Sequence, residues 1–327
     1  MSDSHSSRKP MSFFKIVFIF FACSIAGFCG LILLAAVALG NSIPKETAGL
    51  TENVVEGFNA SERLVIIDIN DVIMPGETSD VIIEMLKAAG NDTTVKGVIL
   101  NMDTPGGGVT ATDVIYNEVQ KLREQGIKVV TCMQSVAASG GYYLAAGTDY
   151  IVANKTTITG SIGVVISTWN GEEMFSKIGI KPQVFKSGRL KDGLSPGRKP
   201  TDEELELFQE MVNEMFDSFA EIVSTGRNIP LEEVKASPIG DARIVTAKQA
   251  LELKLIDEIG YLEQAIDKLK SLTSSSDAQI IKYEVPPTVM EVLLGAKTDP
   301  AAEAIKNALP KVPLAKGGFY YLTPGFY

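Results

Sequence analysis

Histidine is almost missing from this chain: His5 is the one histidine in 327 residues. That removes the usual general base from nearly the whole protein and makes a histidine-based metal site untenable. Cysteine is scarce too. Cys23 and Cys29 fall in an apolar run near the N-terminus, which leaves Cys132 alone in the remainder. No disulfide can form within the main domain, so the fold rests on its core. Cys132 sits in an apolar strand and reads as a small core residue. Basic residues are outnumbered, 30 Lys and Arg against 40 Asp and Glu, and the net charge of −10 argues against a nucleic-acid partner. Neither G-x-x-x-x-G-K-[ST] nor G-x-G-x-x-G occurs, so a nucleotide-phosphate cradle has no support. The sequence also has no internal repeat.

Charge is absent from Ile16 to Leu39. This run exceeds the roughly 20 residues needed to cross about 30 Å of hydrocarbon, and it reads as a transmembrane anchor. Arg8, Lys9 and Lys15 precede it. The positive-inside rule then predicts a single-pass protein of the cell membrane, with residues 1–15 cytoplasmic and the large part outside. Residues 40–60 read as a polar linker, 61–272 as the folded domain, and 273–327 as a C-terminal extension of unassigned role. Within that extension IIKYEV reads as a short strand.

Inside the domain RLVIIDI, VKGVILNMD, IKVVTCMQ and DYIVAN read as buried strands. Between the second and third, Ile115, Val119 and Leu122 form a helical stripe. This rhythm predicts an α/β domain with a mostly parallel sheet covered by helices. A longer helix is predicted from about Pro200, with Thr201 and Glu204 as a capping box. Phe208, Met211, Met215, Phe219 and Ile222 form its apolar face, suited to a core or a subunit contact.

Two glycine-rich stretches carry candidate chemistry. The strand VILNMD runs into Thr104-Pro105-Gly106-Gly107-Gly108. The glycines either form an oxyanion hole or make a plain strand-to-helix turn. Ser139, in AASGG, is either a nucleophile or a helix N-cap. A nucleophilic serine without histidine needs another base, and a lysine amine that has lost its proton is the remaining precedent. Lowering a lysine from about 10.4 to about 8 takes roughly 3 kcal/mol, which burial can supply. The S-x-x-K pairs at Ser6/Lys9, Ser12/Lys15 and Ser42/Lys45 all lie outside the domain. Inside it Lys155, Lys177, Lys181, Lys186 and Lys191 are candidates, and spacing does not choose between Lys186 and Lys191.

Four ordered motifs, TPGGGV (104–109), ASGGYYLA (138–145), ITGSIGV (158–164) and KSGRLKDGLSP (186–196), together resemble the signal peptide peptidase A family of membrane-anchored serine–lysine peptidases. LELKLIDEIG (251–260) is similar to that family's closing element. The resemblance implies a crotonase/Clp-protease-like spiral of ββα units behind one N-terminal transmembrane helix. It implies Ser139 as nucleophile, Lys191 as general base, Ser161 as the residue that positions the lysine, and Gly107 and Gly140 as oxyanion amides. It implies no metal or cofactor, and apolar peptide substrates such as signal-peptide remnants. With one serine motif and one lysine motif, the chain resembles the short form, which implies a homo-oligomer. Relatives often carry asparagine and serine before the proline, where this chain has Asp103 and Thr104. That difference leaves open how the loop meets a substrate backbone. Two readings compete with a peptidase: a crotonase-like acyl-CoA enzyme, which needs no Ser139/Lys191 pair, and a noncatalytic membrane scaffold.

Overall fold

The computed structural model describes residues 49–57 and 61–286, together with the backbone of 320–322. The proposed anchor, 16–39, lies outside the described residues. Among the described residues no helix is long and apolar enough to cross a membrane. In chain order the first elements are β1 (Thr51–Glu56), β2 (Arg63–Asn70), α1 (Glu77–Asn91), β3 (Val95–Thr104), β4 (Gly106–Gly108) and α2 (Val109–Glu124). Then come β5 (Lys128–Ala138), α3 (Gly140–Ala146), β6 (Tyr150–Ala153), β7 (Ile158–Gly160) and α4 (Glu172–Lys177). The long α5 (Asp202–Arg227) is followed by α6 (Leu231–Lys235), β8 (Ile244–Thr246), α7 (Ala247–Glu252) and β9 (Glu258–Ile259). The last are α8 (Leu262–Thr273), β10 (Gln279–Glu284) and β11 (Tyr320–Leu322).

The main sheet runs β1-β10-β2-β3-β5-β6-β9. It is parallel from β10 to β9, and β1 adds an antiparallel edge. β7 pairs in parallel with the end of β5 and antiparallel with β8. The four predicted strands are β2, β3, β5 and β6, and the β3–β4–α2 succession is a ββα unit. The fold is α/β with a mixed sheet.

Burial on both faces explains why these strands read as continuous apolar runs. Leu64 and Ile66 of β2, Ile99 of β3, Val130 of β5 and Val152 of β6 cluster with Ala265, Ile266 and Leu269 of α8. That helix forms because apolar residues recur at three- and four-residue spacing from Leu262 to Leu272. Val65, Ile67 and Ile69 alternate to the opposite face and are equally buried. The predicted stripe Ile115–Val119–Leu122 is buried on α2. Cys132 packs in the α8 cluster, and burial pushes its thiol up to about 12. It is an inert core residue, since only a thiolate reacts readily.

The predicted capping box opens α5. The Glu204 amide donates to Thr201 Oγ1 at 3.3 Å, and the Thr201 amide donates to Glu204 Oε2 at 2.9 Å. Along its apolar stripe Phe219 is buried, whereas Phe208, Met211, Met215 and Ile222 are half-buried. The C-terminal end of α5 therefore enters the core and its first turns do not. A Cβ at Gly226 would stand 1.8 Å from the Ala146 carbonyl oxygen, so only glycine lets α5 lie this close to α3.

Two sheet strands fall where the sequence reading has linker and extension. β1 is exposed at every residue, so it offers no apolar face to read. β10 is recognisable as a strand, but its seat between β1 and β2 is a pairing across some two hundred residues that no local pattern encodes.

Candidate active site

The site begins with a break in register. Met102 pairs with Met133, but Thr104 pairs with Ala137, so β5 carries extra residues where it passes the end of β3. This bulge re-aims the strand toward the glycines. Polar side chains hold it in place. Asp103 Oδ1 accepts from the Val136 amide at 3.0 Å, and Gln134 Nε2 donates to Asn101 Oδ1 at 2.6 Å. Asp103 thus braces the strand that leads to Ser139. Thr104 is fully buried, donates to the Asp71 carbonyl at 2.5 Å and accepts from the Gly106 amide at 3.2 Å. Both departures from the family pattern serve as scaffold for the loop.

Ser139 follows the bulge and heads α3. An N-cap serine has extended backbone and accepts a bond from the first helical turn. Ser139 does neither: φ is 53° and ψ is −114°, and its side chain makes no cap hydrogen bond. A non-glycine residue here carries strain of about 1–3 kcal/mol, of the kind that gathers at functional sites. Main-chain bonds hold the turn: the Ser139 amide donates to Gly160 O, and the Tyr143 amide donates to Ser139 O, each at 2.8 Å. The Tyr142 hydroxyl anchors α3 by donating to Leu255 O at 2.7 Å, and burial raises that phenol's pKa. Ser139 Oγ is buried without a hydrogen-bond partner among the described residues.

Gly106–Gly108 is a strand, not a plain turn. The Ile73 amide donates to Gly106 O and the Gly108 amide donates to Ile73 O, both at 2.8 Å. Strand alternation turns the Gly107 N–H to the opposite edge. A Cβ at Gly107 would lie 1.8 Å from Ile73 O, so a side chain is impossible whatever the chemistry. A Cβ at Gly140 would lie 3.1 Å from Gly107 N, so the two candidate oxyanion glycines stand against each other. The Gly140 amide lies at the start of α3, where helix N–H groups have no intrahelical acceptor.

Ser161 follows β7 at φ 53° and is buried, with its amide donating to Arg243 O at 2.8 Å. The pairing of Ala138 with Gly160 sets it beside the Ser139 turn. The lysines are placed differently. Lys186 donates to Arg189 O at 2.8 Å and to Asp192 Oδ1 at 2.5 Å. Asp192 also accepts from Arg198 at 2.8 Å, and these two cations hold its carboxyl well below the usual range. Lys191 is exposed and makes no ion pair among the described residues. Its neighbour Asp192 is committed elsewhere, and among the described residues no lysine amine reaches Ser139 Oγ.

Sequence reasoning missed β11. Tyr320–Leu322 pairs antiparallel with the glycine strand, Tyr321 opposite Gly107, and lies against α3. The chain's own C-terminal backbone therefore runs as a strand along the edge where the candidate oxyanion amides sit. Its only advance signal was a β-prone aromatic pair, Tyr320-Tyr321, in a tail otherwise rich in glycine and proline. A cavity of ≈ 340 Å³ lies elsewhere, lined by Val164, Ile166, Trp169, Leu194, Phe208 and Val212. The surrounding segment leaves large apolar side chains in solvent, Trp169 at 68% and Phe185 at 95% exposure. No group of acidic, histidine or cysteine side chains suited to a metal occurs among the described residues.

Comparisons with known proteins identify the family. The profile of peptidase family S49 matches residues 121–276, and that of Clp protease matches 52–159. The chain is 36% identical over 283 residues to an Enterococcus faecium protein bearing the name signal peptide peptidase SppA, across 78% of this chain and 82% of the relative. It is 31% identical over 228 residues to Protease 4 of Haemophilus influenzae, across 67% of this chain but 36% of that larger protein. A strained serine beside a glycine strand, on a Clp-type sheet, thus coincides with matched sequence over most of the chain, and the protein belongs to peptidase family S49.

Proposed function

We propose that the protein is a membrane-anchored serine endopeptidase with a Ser139–Lys191 dyad, its site outside the cell membrane, acting on apolar peptides such as signal-peptide remnants. The observation that carries this reading is Ser139 itself, strained, buried, uncapped and unpartnered beside Gly107 and Gly140. A substrate peptide pairs with the glycine strand as β11 does. Neutral Lys191 takes the Ser139 proton as Oγ attacks the scissile carbonyl. The Gly107 and Gly140 amides hold the oxyanion. Lys191 then protonates the leaving amine, and water, activated by the same lysine, releases the acyl group. Ser161 keeps the lysine amine in line. No metal or cofactor takes part.

Lys191 serves the serine of a neighbouring subunit in a homo-oligomer. Its exposure, its lack of an ion pair among the described residues and the apolar surface around Trp169 and Phe185 support this arrangement. Co-expression of Ser139→Ala with Lys191→Ala tests it. Mixed oligomers regain partial activity, because some interfaces join an intact serine to an intact lysine. A verified mixed oligomer without activity would mean that the dyad forms within one chain.

The groove assignment has its own test. Because β11 occupies the edge assigned to substrate, a chain ended before Tyr320 shows a lower KM for peptide substrates. An unchanged KM would contradict pairing on β4.

A further inference from the structure

Beside Ser139 Oγ, a second side-chain oxygen at the site is buried without a hydrogen-bond partner among the described residues: Thr112 Oγ1. Thr112 lies in the first turn of α2, directly after the glycine strand, and is fully buried. A threonine within a helix commonly donates to the carbonyl one turn back, and Thr112 does not. Its hydroxyl oxygen stands 2.9 Å from the point a Cβ on Gly140 would occupy, and Gly107 N stands 3.1 Å from the same point. The hydroxyl therefore lies against Gly140 on the side that faces the Gly107 amide nitrogen. A buried hydroxyl without a protein partner costs free energy, and an oxygen that arrives with the reaction would satisfy it.

We propose that the Thr112 hydroxyl is a third donor to the oxyanion, beside the amides of Gly107 and Gly140. Its O–H is free to rotate, and no protein acceptor competes for the proton among the described residues. The inference rests on Ser139 as the nucleophile. It adds a side-chain group to a hole otherwise built from backbone.

Thr112→Val, which removes the hydroxyl, and Thr112→Ser, which keeps it, are compared in the full chain. The readouts are kcat, KM and the affinity of a peptide boronate that mimics the tetrahedral intermediate. Thr112→Val lowers kcat and boronate affinity about 10- to 100-fold with KM nearly unchanged, somewhat below the loss of a main oxyanion donor. Thr112→Ser stays within about threefold of the parent, and the melting temperature of Thr112→Val does not fall, because no buried group loses a bond. Full kcat and boronate affinity in Thr112→Val overturn the proposal, as do equal losses in both variants accompanied by lower melting temperatures, which mark a packing role. Fluorophosphonate labelling of the parent separates the premises. A parent that does not react at Ser139 removes the nucleophile reading and this proposal together; a reactive parent with an unaffected Thr112→Val removes this proposal alone.

Discussion

Ser139→Ala abolishes peptide cleavage, lowering kcat by roughly 10⁴-fold or more, as losing the nucleophile of a coupled catalytic unit does. The fold survives the change. Ser139 Oγ has no hydrogen bond among the described residues, so its removal orphans no neighbour, and the turn is held by main-chain bonds to Gly160 and Tyr143. Turnover assays beside thermal melting check both halves. A crotonase-like acyl-CoA enzyme would keep its activity without this hydroxyl, and a noncatalytic scaffold would have none to lose. Substantial turnover by folded Ser139→Ala protein rejects the assignment.

Lys191→Ala causes a loss of similar size, and Lys186→Ala a smaller one. The two lysines differ in what already holds them: Lys186 is bound to Asp192 and the Arg189 carbonyl, whereas Lys191 has no such tie. Lys186→Ala loosens the loop that carries Lys191 and costs about tenfold, by disorder of the base and not by its removal. The pH dependence follows from the chemistry. Only the unprotonated amine accepts the serine proton. The parent's kcat/KM therefore rises with pH between roughly 6 and 9, and the residual activity of Lys191→Ala loses that rise. Loss in Lys186→Ala with activity kept in Lys191→Ala would reverse the choice of lysine.

The sheet was legible in the sequence because its central strands are covered on both faces, and apolar runs such as LVII and VVTC report that directly. Thr201 and Glu204 announced their helix, since a capping box is a local device. The glycine strand was not legible. Glycine has little strand preference, and Gly106–Gly108 pairs with backbone distant in sequence, Ile73 and Tyr320–Leu322, with no room for a side chain at Gly107. Ser139 stood out by its neighbours, but the positive φ that separates it from a cap depends on a bulge braced by Asp103, a contact 33 residues away along the chain. Thr112 carried a readable sign: it shares the buried stripe of Ile115, Val119 and Leu122, where a hydroxyl is out of place. Lys191 fits worst with local reasoning. It is exposed and makes no ion pair among the described residues, and the serine proposed for it would belong to a neighbouring subunit, which no local pattern encodes.

The most direct measurement is fluorophosphonate labelling of the intact protein, with the modified residue located by mass spectrometry. One phosphonyl group on Ser139 is predicted, formed rapidly in the parent and far more slowly in Lys191→Ala. Label on another serine, or none on Ser139 in protein that cleaves peptides, would contradict a serine–lysine peptidase built on Ser139.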